Sequence, residues 1–105
     1  MSHEALSING IPIRLTEERW VHIVEHHDDV AGYYHDVLEI VRTPDRVYEG
    51  DSGELFALTE RFYPRYLVVV YRELSLSDGF VITAFFTTRI RQIERRRLVW
   101  KRESS

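Results

Sequence analysis

The sequence contains no cysteine. That excludes disulfide staples and thiolate zinc sites, and it fits a cytoplasmic protein. No apolar run approaches the ~20 residues that a membrane-spanning helix needs. Met1-Ser2-His3-Glu4 has no basic region leading into an apolar segment, so no secretory signal is expected. The phosphate-cradling patterns G-x-x-x-x-G-K and G-x-G-x-x-G are missing, which argues against the nucleotide-binding folds. No serine sits in a strand-turn-helix elbow, so the chain offers no convincing nucleophile. Lysine is almost absent as well: 13 of the 14 basic residues are arginine.

What is present is one domain's worth of chain, residues 1–105, with 44% hydrophobic and 30% charged residues. The net charge of −3 is unevenly spread. Residues 1–60 hold 13 acids against 4 arginines, a net of −9, and residues 61–105 hold 10 bases against 4 acids, a net of +6. The bases gather at the end, in Arg89, Arg91, Arg95, Arg96, Arg97, Lys101 and Arg102. Arginine suits planar, bidentate recognition of phosphate or carboxylate. Two readings follow: a patch that faces phosphate, or a surface that pairs with the acidic half.

Asn9-Gly10 lies between two apolar pairs and signals a hairpin, with Pro12 confining its second arm to a sheet edge. Thr16 reads as the cap of a first helix, with Leu15 and Trp20 as a hydrophobic staple. Trp20, Ile23, Val24 and His27 form its stripe. Asp28 or Asp29 is expected to cap a second helix with the stripe Val30, Tyr34, Val37, Leu38 and Val41, ending at Thr43-Pro44-Asp45. Strands follow at Arg46–Glu49, within Glu54–Arg61, at Tyr66–Arg72 and at Gly79–Thr87. Ile90 and Ile93 suggest a short helix, and Leu98-Val99-Trp100 a closing edge strand. The expected class is α+β: two N-terminal helices packed on a four-stranded antiparallel meander sheet.

Histidine is the side chain best suited to moving protons near neutral pH, and His22, His26 and His27 cluster in the first helix. His22 and His26 have H-x-x-x-H spacing, which can hold a metal but lacks the neighbouring glutamate of H-E-x-x-H, and most such pairs bind nothing. His27 lies on the apolar stripe beside Trp20, where a core-edge histidine is the plain alternative. In the last long strand, Val81, Thr83, Phe85 and Thr87 are expected on one face, and Phe80, Ile82, Ala84 and Phe86 on the core side. Thr83 and Thr87 with Arg89 at the strand's end form a candidate phosphate site. Histidine, threonine and arginine without nucleophile or metal suit metal-free RNA cleavage, where the substrate's 2′-hydroxyl attacks and the protein supplies an acid, a base and cations.

Trp20-x-His22-Ile23 followed by His27, a second helix ending in Pro44-Asp45, and the strands Val68-Val69-Val70-Tyr71 and Gly79-Phe80-Val81-Ile82-Thr83-Ala84-Phe85 resemble the barnase–EndoU–colicin–RelE-like small nucleases of phages and bacteria. The resemblance covers residues 13–100 and implies two helices against a four-stranded sheet that carries a ribonuclease site. Position by position, His22 and His27 match that family's helix histidines, Thr83 its strand threonine, and Thr87 with Arg89 the polar strand end. His26 stands where the family has a basic residue, and Asp28 replaces its proline. The chain is mildly acidic where such toxins are basic.

The resulting expectation is a metal-independent endoribonuclease, the toxin of a toxin–antitoxin pair or a phage-derived enzyme. His22, His27, Thr83 and Arg89 would be its catalytic residues, and Thr87, Arg72 and Arg91 its substrate contacts. RNA and an antitoxin protein would be its partners, with no metal, cofactor or membrane. Against it stand a non-catalytic RNA-, phosphate- or protein-binding module and a homodimer joined through Tyr33, Tyr34, Phe62, Tyr63 and Trp100.

Overall fold

The computed structural model describes residues 3–103. Their order is β1 (His3–Leu6), β2 (Pro12–Leu15), α1 (Glu17–His26), a single 3₁₀ turn at Asp28–Val30, α2 (Tyr34–Arg42), β3 (Arg46–Glu49), β4 (Leu55–Thr59), β5 (Tyr66–Ser75), β6 (Asp78–Thr87), α3 (Arg91–Glu94) and β7 (Arg97–Lys101). One sheet holds all seven strands in the order β1-β2-β6-β5-β4-β3-β7. β2 runs parallel to β6, and every other pair is antiparallel.

This corrects the expected four-stranded antiparallel meander on two helices: the sheet is mixed and seven-stranded, and a third short helix follows β6. The N-terminal hairpin is the main source of the difference. Gly10 takes a left-handed φ of 76° and turns the chain, as the Asn-Gly pair suggests. Pro12 then opens β2 as its first residue. A proline there loses no ladder bond, so it does not confine β2 to an edge. Ile13 and Arg14 align with Gly79 and Phe80, and β2 becomes an interior strand.

Thr16 caps α1 as expected, its hydroxyl accepting the Arg19 N–H at 3.1 Å. The second helix differs from the reading. Asp28 and Asp29 enter only the 3₁₀ turn, and α2 begins at Tyr34 without a side-chain cap. Gly32 and the change of winding split the apolar stripe that the sequence runs together.

Two apolar layers hold the sheet. On the helix face, Ile23, Val30, Val37, Ile40 and Val41 pack on Ile13, Leu15, Val47, Leu67, Val69, Tyr71, Val81 and Ala84. On the far face, Ile93 of α3 and Ile90 just before it pack on Tyr48, Leu58, Val68, Val70, Phe56, Tyr66, Ile82 and Phe85. Fully burying one of these aliphatic side chains contributes about 1.5–3 kcal/mol. The aromatic residues named for a homodimer are mostly spent on the core: Tyr33, Tyr34, Phe62 and Trp100 pack against it, and only Tyr63 stands out, 75% exposed.

Candidate functional site

Strand β6 decides what the far face presents. Val70 pairs with Thr83 and Tyr71 with Val81, so Ile82 is an extra residue in a bulge. The bulge breaks the simple alternation. Val81, Ala84 and Phe86 belong to the helix-face core, while Ile82 and Phe85 belong to the far one. Thr83 opposite Val70 and Thr87 opposite Tyr66 therefore share the far face with Ile82 and Phe85. Val81 leaves the set expected on the threonine face, and Phe80 and Ile82 join it.

Cross-strand register orders this face into rows. Tyr48, Phe56, Val70 and Thr83 form one, and Arg46, Leu58, Val68 and Phe85 the next. Arg72 lies on the same face one row beyond Val70, its guanidinium donating to the Ser52 carbonyl at 2.8 Å. The Thr83 hydroxyl has no protein partner among the described residues.

At the strand's end the Thr87 hydroxyl accepts the backbone N–H of Arg89 at 2.9 Å, which turns the chain away from the sheet. Ile90 and Ile93 then fold the segment back onto the far face. Arg46 fastens it from below, donating to Glu94 at 2.9 Å and to the Tyr48 hydroxyl at 2.8 Å.

The arginine-rich end divides into two groups. Arg97 pairs with Glu49 at 2.6 Å, and Arg102 lies 3.4 Å from Asp45. Arg89, Arg91 and Arg95 are exposed and have no carboxylate partner among the described residues. Arg96 lies over the Phe56 ring, 4.3 Å from its centroid, with its Nε buried and unpartnered. The pairing reading of the charge asymmetry thus holds for Arg97 and Arg102. β7 pairs with the acidic half, and residues 89–96 keep unneutralised guanidiniums beside the Thr83 face.

The histidines separate. His27 ends α1, its N–H donating to the Ile23 carbonyl at 2.8 Å, and its ring lies 5.9 Å from that of Phe85. It is the imidazole that reaches the far face. The His22 and His26 rings lie 4.4 Å apart with their planes tilted by 48°, and the His26 Nδ1 lies 2.9 Å from the His22 carbonyl oxygen. His22 lines a shallow depression with Thr16, Glu18 and Arg19 that contains neither His27 nor a threonine of β6. One link joins the two places: the Arg19 guanidinium reaches the Ile82 carbonyl at 3.5 Å, at the bulge. No group of three or more histidine, aspartate and glutamate side chains with metal-holding geometry occurs among the described residues.

The structure therefore gathers His27, Thr83, Thr87 and Arg72 around one face, flanks them with Arg89 and Arg91, and leaves His22 at the side. Sequence reasoning missed Arg19 and Phe85 as connectors. Arg19 stands three residues before His22, one helical turn away, and that spacing was the available signal.

Elsewhere, charge partners tune several groups. The Arg14 guanidinium holds the Asp78 carboxyl below the usual carboxylate range, chiefly by hydrogen bonding, and Asp78 raises Arg14 in return. Hydrogen bonds from Thr43 and then Arg42 lower Glu39. Burial, with a smaller contribution from Glu73, pushes the Tyr71 hydroxyl far up.

No protein family, no curated protein and no solved structure shows a significant match to this chain.

Proposed function

We propose that the chain is a metal-independent endoribonuclease whose substrate lies on the far face of the sheet, along β6. The observation that carries this reading is one juxtaposition: the His27 ring beside Phe85, on the face of Thr83, Thr87 and Arg72, flanked by the unpaired arginines of residues 89–96. In such a reaction the 2′-oxygen forms a bond to phosphorus while the bond from phosphorus to the 5′-oxygen breaks. The products are a 2′,3′-cyclic phosphate and a free 5′-hydroxyl. One group takes the 2′-proton and another gives a proton to the leaving oxygen. His27 fills one role. His22, which lines a depression with Arg19, the residue that reaches Ile82 of the same strand, is the candidate for the other. Arg89 and Arg91 offset the charge that builds on the phosphoryl oxygens, and the Thr83 hydroxyl orients them. These roles are the ones implied by the resemblance to the barnase–EndoU–colicin–RelE-like nucleases, whose four-stranded sheet this chain does not have, and they go with a toxin held in check by an antitoxin protein.

A second reading has its own support. Only one imidazole reaches the face, and acid–base catalysis needs two groups. RNA binding without turnover would use the arginines and leave both histidines dispensable. The deciding experiment is incubation of total RNA with the protein in EDTA. The proposal expects cleavage ending in cyclic phosphate, falling about 10²–10⁴-fold in His27→Ala. A wild type that is inert across a broad RNA panel, or a His22→Ala, His27→Ala double variant as active as wild type, would overturn it.

A further inference from the structure

Thirteen aromatic residues occur in the chain, and two of them, Phe80 and Tyr63, belong to neither apolar layer. Tyr63 lies in a loop. Phe80 lies in the sheet, partly exposed, on the far face. Its neighbours on both sides are arginines. Register pairs it with Arg14 of β2 and with Arg72 of β5, so the three side chains form one row, Arg14–Phe80–Arg72. The buried neighbours confirm the orientation: Ile13, Leu15, Tyr71 and Val81 all point into the helix-face core. Neither guanidinium sits over the ring. Arg14 is held to the side by Asp78 at 2.8 Å and stays 42% exposed, and Arg72 is held by the Ser52 carbonyl. Helix α3 packs over Tyr48, Leu58, Val68 and Val70 of β3, β4 and β5, and neither Phe80 nor Thr83 is among the residues packed there.

A flat apolar ring between two fixed cations has the chemistry of a platform for a planar base whose phosphates lie to either side. From the geometry we infer that the row Arg14–Phe80–Arg72 is a base-stacking subsite. A single RNA strand runs from it along β6, past Thr83, to the arginines after Thr87. Thr83 lies three positions beyond Phe80 and Thr87 seven, spans of ~10 Å and ~23 Å at ~3.3 Å per residue, so the subsite lies at least one nucleotide from the phosphate that Thr83 orients. The substrate class follows. A duplex keeps its bases stacked on one another and offers no free base face, whereas a single strand does. The inference rests on the proposed ribonuclease reading and deepens it by naming single-stranded RNA as the substrate and Phe80 as its specificity-determining residue.

The test uses the full chain carrying His27→Ala, to prevent turnover, and fluorescence anisotropy with a labelled ten-nucleotide RNA, single-stranded or annealed to its complement. The expected result is tighter binding of the single strand. Phe80→Leu should weaken that binding about tenfold and leave duplex binding unchanged, and Phe80→Tyr, which keeps the ring, should restore it. Thermal melting of each variant separates lost contact from lost fold. Equal affinity for the two RNAs, or a folded Phe80→Leu variant that binds the single strand as well as its parent, overturns the inference and leaves the ribonuclease reading standing. Absence of binding to either RNA removes both.

Discussion

The division of the C-terminal arginines into paired and unpaired sets predicts how RNA affinity depends on salt. Each phosphate that a cation contacts on a single strand releases condensed counterions and adds ~0.7 to the slope of log affinity against log salt. If Arg89, Arg91, Arg95 and Arg96 each contact one phosphate, their joint contribution is a slope of ~−2.8. Replacing Arg89 and Arg91 with alanine should make the slope shallower by ~1.4. Arg97 and Arg102 already face Glu49 and Asp45, so Arg97→Ala and Arg102→Ala should leave it nearly unchanged. Anisotropy titrations in the His27→Ala background between 50 and 300 mM salt measure the parent, these variants and Arg89→Ala alone. Net charge changes by one in Arg97→Ala just as in Arg89→Ala, so a mere loss of total charge would affect both alike. Equal slopes for Arg89→Ala and Arg97→Ala would refute the division.

Two further outcomes follow from the core and from the charge pairs. Tyr71 is fully buried and its hydroxyl has no partner among the described residues, so Tyr71→Phe should stabilise by ~1 kcal/mol, raising Tm by about 4–8 °C; a lower Tm would mean that the hydroxyl is satisfied. The carboxyls of Asp78 and Glu39 are depressed in the folded state, so the stability they contribute is present above the ordinary carboxylate range and fades as pH falls through their lowered values. Thermal melts should therefore drop between pH 5 and pH 3, and Arg14→Met should lessen the drop by returning Asp78 toward its ordinary value; an unchanged profile in that variant would contradict the assignment.

Much of the fold was legible where local chemistry decides it. Thr16 announced the start of α1, the β-branched run from Tyr66 marked β5, and Ile90 with Ile93 marked the helix after β6. Two long-range facts were not legible. The parallel contact of Ile13 and Arg14 with Gly79 and Phe80 joins segments more than 60 residues apart, and nothing in either strand's pattern specifies its neighbour. The bulge at Ile82 adds one residue to a run that alternates well without it, so the faces of Phe80, Val81 and Ile82 came out reversed. The same two facts shape the site. The bulge turns Phe80 onto the face of Thr83, Phe85 and Thr87, and the parallel pairing brings Arg14 beside it. The sequence offered His22 and His27 as equals because both lie in one short helix. Their separation depends on His27 being the residue that leaves α1, a boundary set by the turn at Asp28–Val30.

The central claim is that RNA occupies the sheet face opposite α1 and α2. Amide chemical shifts of the His27→Ala protein, followed during titration with a ten-nucleotide single-stranded RNA, test it most directly. The account predicts that the largest changes fall in β5, β6 and residues 89–96, with β1 and α2 nearly still. Changes centred on β1 and α2 would put the ligand on the wrong side of the sheet and contradict it.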